Sequence, residues 1–204
     1  MWLAPGKGMV HTQRGFSLIE LVMTVGLIAV VTAIVIPITD ASLDVNRLKG
    51  DATALRNLVG LAKMRASSQS TRARVYADLN ANSFALEVWD RTTNTWVTQN
   101  GARPLATGVS FGFGTLATSP LDPQLPISMS PQCTAGLTAA DAIANTACIT
   151  FNSRGLPVDA DGVLFARHAL YLRGDIGVYG TTVTATPLIR LWSSPNNYAV
   201  WTRR

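Results

Sequence analysis

The sequence predicts an α+β fold in which one long N-terminal helix packs on small antiparallel β-sheets. Three observations predict it. Residues 16–38, FSLIELVMTVGLIAVVTAIVIPI, are apolar apart from Glu20 and a few small hydroxyl side chains. Leu48, Ala52, Leu55, Val59, Ala62 and Ala66 then recur at three- and four-residue steps, the spacing of one buried helix face. From Arg72 onward the chain alternates apolar and polar residues in short runs divided by turn residues, as antiparallel strands do. The chain therefore divides into a short basic segment 1–15, an apolar helical half 16–38, an amphipathic helical half 39–70 and a β-rich domain 71–204.

Residues 1–13 have no periodicity, and His11 has no candidate metal partner near it. The apolar run that follows is long enough, at about 1.5 Å per residue, to cross a hydrocarbon core of about 30 Å. Lys7 and Arg14 precede the run, whereas Asp40 and Asp44 are the first charges after it. Basic flanks stay on the cytoplasmic side, so this asymmetry places the C-terminal domain outside that membrane. A secretory signal peptide fits less well. The apolar stretch is long, its one charge lies inside it, and no A-x-A site follows.

Pro37 lacks an N–H and can kink the helix. Beyond it, the amphipathic half sets Arg47, Lys49, Asp51, Arg56, Lys63 and Arg65 opposite the apolar face, with Arg47 and Asp51 spaced for an i,i+4 pair. The face lacks sustained heptads with large residues at both core positions, which argues against a free coiled coil. Ser67 to Thr71 is the predicted end of the helix. A continuous helix from Phe16 to Ser68 would be about 80 Å long.

Arg72 to Asp78, Ser83 to Trp89 and Asn94 to Thr98 read as a strand meander, with turns at Asn80-Ala81-Asn82 and Arg91-Thr92-Thr93. Leu105 to Phe113 is a further strand weakened by Gly108 and Gly112. From Thr115 to Ala147 the pattern is broken by Pro120, Pro123, Pro126 and Pro131, with one helical turn within Leu137 to Ile143. A segment this long without regular structure implies a functional insertion or mobility. Cys133 and Cys148 lie on the oxidising side of the membrane in this topology. They either close a disulfide, stabilising by about 3 kcal/mol through loop entropy, or remain two buried thiols. Strand patterns return from Cys148 to Asn152, Ala169 to Tyr179 and Val183 to Trp192, with Tyr198 to Trp201 closing a sheet.

The chain carries 17 basic and 12 acidic residues, a formal charge of +5. Setting aside Lys7 and Arg14 leaves +3, ordinary surface charge that permits nucleic-acid contact without demanding it. No Walker loop and no H-E-x-x-H occurs, and the glycines from Gly108 to Gly114 lack the lysine and helix of a phosphate cradle. His168, beside Arg167, reads as a strand-end surface residue. Asp159-x-Asp161-Gly162 lacks the remaining ligands of a calcium loop and reads as a turn. Trp89, Trp96, Trp192 and Trp201 fall mostly in strands and read as packing residues. No metal and no cofactor is expected, and the sequence points to a structural protein rather than an enzyme.

Arg14-Gly15-Phe16-Ser17-Leu18-Ile19-Glu20-Leu21 resembles the class III signal of type IV pilins and type II secretion pseudopilins. The resemblance implies a pilin-like fold. It also implies that a prepilin peptidase/methyltransferase cuts after Gly15 and methylates Phe16. Glu20 is then the fifth mature residue and Pro37 the twenty-second. As that family implies, Glu20 would pair with the N-terminal amine of a neighbouring subunit, so that its charge acts as an assembly key. Gly26 and Ala33 could let such helices approach closely, although ordinary membrane-helix composition explains them equally well.

Ile149-Thr150-Phe151-Asn152-Ser153-Arg154-Gly155 is similar to a segment of the H-type pseudopilin and T-type minor pilin family. Leu188-Ile189-Arg190-Leu191-Trp192 is similar to that family's C-terminal element, with Pro187-Leu188 where the family often has a glycine. These likenesses imply a minor pseudopilin that initiates or caps the periplasmic filament of type II secretion. Its partners would be other minor and major pseudopilins or pilins and the inner-membrane assembly platform. The alternative is a T-type minor pilin of a type IV pilus, with DNA contact through Arg203 and Arg204; Arg72 and Arg74 add basic charge at the start of a strand.

Overall fold

A computed structural model describes residues 15–116, 120, 129–165, 167–195 and 200–204, and within them leaves out the side chains of residues 35–42. The chain forms two compact units, Met1–Ala41 and Ser42–Arg204. Helix α1 runs Leu18–Ser68. Among the described residues ten strands follow: β1 (Ala73–Asp78), β2 (Ser83–Asp90), β3 (Thr95–Pro104), β4 (Ser110–Phe111), β5 (Thr146–Phe151), β6 (Pro157–Val158), β7 (His168–Gly174), β8 (Gly177–Val183), β9 (Ile189–Pro195) and β10 (Thr202–Arg203). They build two antiparallel five-stranded sheets, β3-β2-β1-β5-β6 and β10-β9-β8-β7-β4. The architecture is α+β.

In the larger unit the apolar face of α1 is the centre of the core. Leu48, Ala52, Leu55, Val59, Ala62 and Ala66 are all buried and cluster with the inner faces of both sheets. Alternation along each strand supplies those faces. Ala73, Val75 and Ala77 of β1 face the core with Ala147, Ile149 and Phe151 of β5. From the second sheet come Leu170 and Leu172 of β7, Val183 of β8 and Leu191 of β9. Alanine at half of these helical positions lets the backbone come close to two sheets at once.

The opposite face of the first sheet is covered too. β5 is buried along its whole length, because the segment leading into it folds back across its outer side. Cys133 and Cys148 are joined by a disulfide. The Cys148 N–H donates to Pro131 O at 2.9 Å, and the Cys133 N–H to Thr146 Oγ1 at 3.0 Å. One turn of 3₁₀ helix, Ala139–Asp141, forms within it. Residues 129–145, part of the stretch Thr115 to Ala147 expected as a functional insertion or a mobile segment, are tied to β5 by the disulfide and these hydrogen bonds; 117–119 and 121–128, with Pro123 and Pro126, lie outside the described residues.

The outer side of the second sheet carries a smaller cluster of Ala169, Tyr171 and Val178, packed by Phe113, Leu116, Met129 and Trp201. The Tyr171 ring lies 4.4 Å from Phe113 and 5.9 Å from Trp201, centroid to centroid. Its cross-strand partner is Gly180. A Cβ at that position would come within 2.7 Å of Tyr171 Cε1, so the ring lies where only glycine leaves room.

Four expectations change. Arg47 pairs with Asp44, not Asp51, at 3.1 Å. Asp51 is buried instead, with Oδ1 accepting from Arg103 Nη2 at 3.2 Å and Oδ2 from the Ala106 N–H at 2.6 Å, because the β3–β4 connection crosses that part of α1. The strand expected over Leu105 to Phe113 shrinks to Ser110–Phe111, flanked by left-handed Gly108 and Gly112. The apolar run from Ala169 to Tyr179 is two strands, divided by a turn at Asp175-Ile176.

Candidate functional site: the start of α1 and the basic residues of the domain

Gly15, Phe16 and Ser17 precede α1 outside any regular element. Ser17 caps the helix. Its Oγ accepts from the Ile19 N–H at 3.2 Å, and its carbonyl accepts from Glu20 at 3.0 Å and Leu21 at 3.1 Å. Glu20 is thus at the third helical position, where a carboxylate also meets the positive end of the helix dipole. Its side chain is exposed, and none of the ion pairs among the described residues includes it. Gly15 has open space around it.

From Gly15 to Ile34 every residue is exposed, including Phe16, Leu18, Ile19, Leu21, Val22 and Met23. The hydroxyls in this run turn inward on the helix itself: Thr24 Oγ1 donates to Leu21 O at 2.8 Å, and Thr32 Oγ1 to Ile28 O. Apart from Glu20 the surface is therefore apolar, with its threonine hydroxyls satisfied, a form suited to lipid or to other helices. Among the described residues no helix is long and apolar enough to cross a membrane. The apolar run continues to Ile38, and the side chains of residues 35–42, Pro37 included, lie outside the description. The backbone of α1 continues through Pro37 as helix.

The arginines divide sharply. Arg74 is buried on the outer face of the first sheet, where Nε donates to Glu87 Oε2 at 2.7 Å and Nη1 to Thr134 O at 2.7 Å. Its guanidinium stacks 4.0 Å from the Trp96 ring. Burial pulls it below its ordinary range, against the opposing pull of Glu87. Arg74 is therefore a structural cation and unavailable to a ligand. Arg203 is exposed on β10, whereas Arg204 is held by Nε to Ser193 Oγ at 2.8 Å and by its N–H to Leu191 O at 2.9 Å.

The turn Asn152–Gly155 packs against the end of α1. Asn152 Oδ1 accepts from the N–H groups of Arg154 at 2.9 Å and Leu156 at 3.1 Å. Gly155 has φ 72°, and a Cβ there would lie 2.8 Å from Ser67 Oγ. That accounts for the asparagine and the glycine of this motif and leaves the exposed Arg154 side chain unassigned.

His168 corrects the expectation of a surface residue. It is fully buried at the start of β7, with Nε2 3.2 Å from Val158 O and its ring edge-on to Phe165 at 4.8 Å. Arg167 points out and His168 in, as strand alternation requires. Desolvation lowers its pKa to about 4, although the backbone at Val158 and Cys148 and the charge of Asp159 favour the proton. Asp159 and Asp161 serve their turn: Asp159 Oδ1 accepts from the Val163 N–H at 2.8 Å, and Asp161 Oδ1 from the Ala139 N–H at 3.0 Å. Among the described residues no group of three or more histidine, cysteine or carboxylate side chains could hold a metal.

Residues 10–36 match the prokaryotic N-terminal methylation motif. The match takes in Gly15, Phe16 and Glu20 and the first turns of α1, and its residues 10–14 lie outside the described residues. Among curated proteins none matches significantly. The chain is similar to two solved structures of the minor pseudopilin EpsH from the type 2 secretion system of Vibrio cholerae. One has 12% identity and a TM-score of 0.46, over 74% of this chain and 99% of that one. The other has 13% identity and a TM-score of 0.43, over 72% and 93%.

Proposed function

We propose that the chain is a minor subunit of a pilin-like filament: an H-type pseudopilin that waits in the bacterial inner membrane and then initiates or caps the periplasmic filament of type II secretion. The observation that carries the reading is the methylation motif, in register with a capped helix whose first turns expose apolar side chains on every side. A soluble domain has no reason to present such a helix. Residues 1–15 would be the leader, 16–38 the membrane half of the helix, 39–70 the half that packs on the domain, and 71–204 the periplasmic domain.

Processing follows from the chemistry of the start. Hydrolysis after Gly15 by the prepilin peptidase frees an amine on Phe16, and the same enzyme methylates it. Glu20 lies one helical turn away, and a carboxylate among apolar helices is costly without a partner. The amine of an adjacent subunit satisfies it only in register, so neutralisation and correct docking become one event. The remaining partners are other minor and major subunits and the inner-membrane assembly platform.

A type IV pilus containing this chain as a T-type minor pilin is the second reading. The exposed Arg203 at the C-terminal edge favours it, since a tail cation is available to DNA there. One comparison separates the two: quantitative proteomics of the cell-free surface fraction from a strain lacking the chain and from its parent. Loss of many exported proteins with pilin unchanged supports secretion; loss of pilin with exported proteins unchanged overturns it in favour of the pilus. Mass spectrometry of the mature N-terminus should give N-methylated Phe16, and an uncut chain in a peptidase-competent strain would refute both readings.

A further inference from the structure

A cavity of about 420 Å³ opens beyond the C-terminal end of α1, with Arg72, Arg91, Trp89, Leu137, Asn152 and Ser153 around it. Thr71 closes its floor, with its hydroxyl spent on Trp89 O at 2.9 Å. Among the described residues no carboxylate lines this cavity. Neither arginine belongs to an ion pair among the described residues. Both are nevertheless positioned. Arg72 Nη1 donates to Ala160 O at 3.0 Å and to Leu137 O at 3.5 Å, and Arg91 Nη2 donates to Ser70 O.

Each guanidinium has five N–H groups in a rigid fork, so backbone carbonyls fix its place and leave donors over. Capping the helix end explains one bond of Arg91 and nothing of Arg72, whose acceptors belong to other loops. Two positioned like charges beside one concave site repel each other unless an anion joins them. A second cavity, about 380 Å³, meets the first at Thr71, Trp89 and Arg91 and brings Val88 and Val97 beside it. Asp90 lines that second cavity, but its Oδ1 accepts the Thr92 N–H at 2.7 Å, which holds the carboxyl ionised below its usual range. An incoming anion is thereby directed to the arginine end.

We propose that this cleft binds a peptide segment of a partner protein through a carboxylate held between Arg72 and Arg91, with a neighbouring apolar side chain against Trp89 or Val97. An inorganic anion would make no use of the apolar walls. A nucleic-acid duplex presents its phosphates on a wide convex surface, which does not enter a pit of this size. The assignment is independent of the filament reading, because it rests on the domain alone.

The test uses the full chain in detergent micelles and a rhodamine-labelled hexapeptide ending in leucine–glutamate, followed by fluorescence anisotropy. We expect a Kd of about 100 μM and about tenfold weaker binding when both carboxylates are replaced by amides. Arg91→Gln should cause about the same tenfold loss, Arg72→Lys a smaller one, and Arg203→Gln none. Leu137→Glu leaves both guanidinia in place while filling the cleft with a carboxylate, and should abolish binding even if Arg91→Gln proves unstable. Equal binding of the amidated peptide, or no effect of Arg91→Gln and Leu137→Glu, would overturn the proposal. So would a DNA duplex that binds more tightly than the peptide and depends on Arg91.

Discussion

Acid should weaken this domain through one side chain. His168 is the only histidine after Gly15, and burial lowers its pKa from 6.5 to about 4. Below pH 6.5 the unfolded chain takes up a proton that the folded chain refuses, so stability falls as pH falls. The slope approaches about 1.4 kcal/mol per pH unit, and the loss is complete near pH 4 at about 3 kcal/mol. Between pH 7 and pH 5 it is already about 2 kcal/mol, while most carboxylates are still ionised. The assay is guanidinium unfolding of the full chain in micelles, read from the fluorescence of the tryptophans at several pH values. His168→Phe removes the titrating group and keeps a ring against Phe165 and Val158. Its lower stability at pH 7 is immaterial; what matters is that its profile between pH 7 and 5 should be nearly flat. Parallel profiles for the two chains would refute the argument.

Three further outcomes are expected. Glu20→Ala should be cut after Gly15 as usual but fail to enter filaments, which immunoblots of the mature chain and of the sheared fraction would resolve; normal incorporation would refute the pairing. Replacing both Cys133 and Cys148 with alanine should remove about 3 kcal/mol of stability. Hydrogen exchange should then rise first at residues 131–136, and unchanged protection there would mean that hydrogen bonds alone hold the outer layer. Arg74→Met should destabilise by about 3 kcal/mol, because Glu87 keeps a largely buried charge with no cation beside it and only the Thr98 hydroxyl, at 3.3 Å, to satisfy it. Adding Glu87→Leu should recover much of that, and a double-mutant cycle without coupling would remove the pair from the account.

The fold class was legible because the chain states it twice, in the helical spacing from Leu48 to Ala66 and in strand alternation after Arg72. Asp51 and His168 were misread for a shared reason. Each is polar at a position whose burial is set by distant chain: the β3–β4 connection over Asp51, and Val158 with Phe165 over His168. Local pattern carries no information about such covers. The attachment of residues 129–145 was illegible on the same ground, since it is made by Cys148, Thr146 and Arg74 rather than by any periodicity of its own. Gly15, Phe16 and Glu20, the residues proposed for processing and assembly, could be singled out because the N-terminal methylation motif is a purely local pattern. The cleft at Arg72 and Arg91 could not be, because four separate loops meet there.

The junction between α1 and β1 also decides how the domain bears load. Only four residues separate Ser68 from Ala73, and the connection is tied down by the Thr71 N–H to Ala66 O and the Trp89 N–H to Arg72 O. β1 is the middle strand of its sheet, with six residue pairs to β2 on one side and six to β5 on the other. Tension arriving along the helix is therefore delivered to the best-braced strand of the sheet and shared by two ladders at once. A domain pulled by its helix would hold its shape, whereas the same pull on the short strand β10, with two pairs, would peel it away.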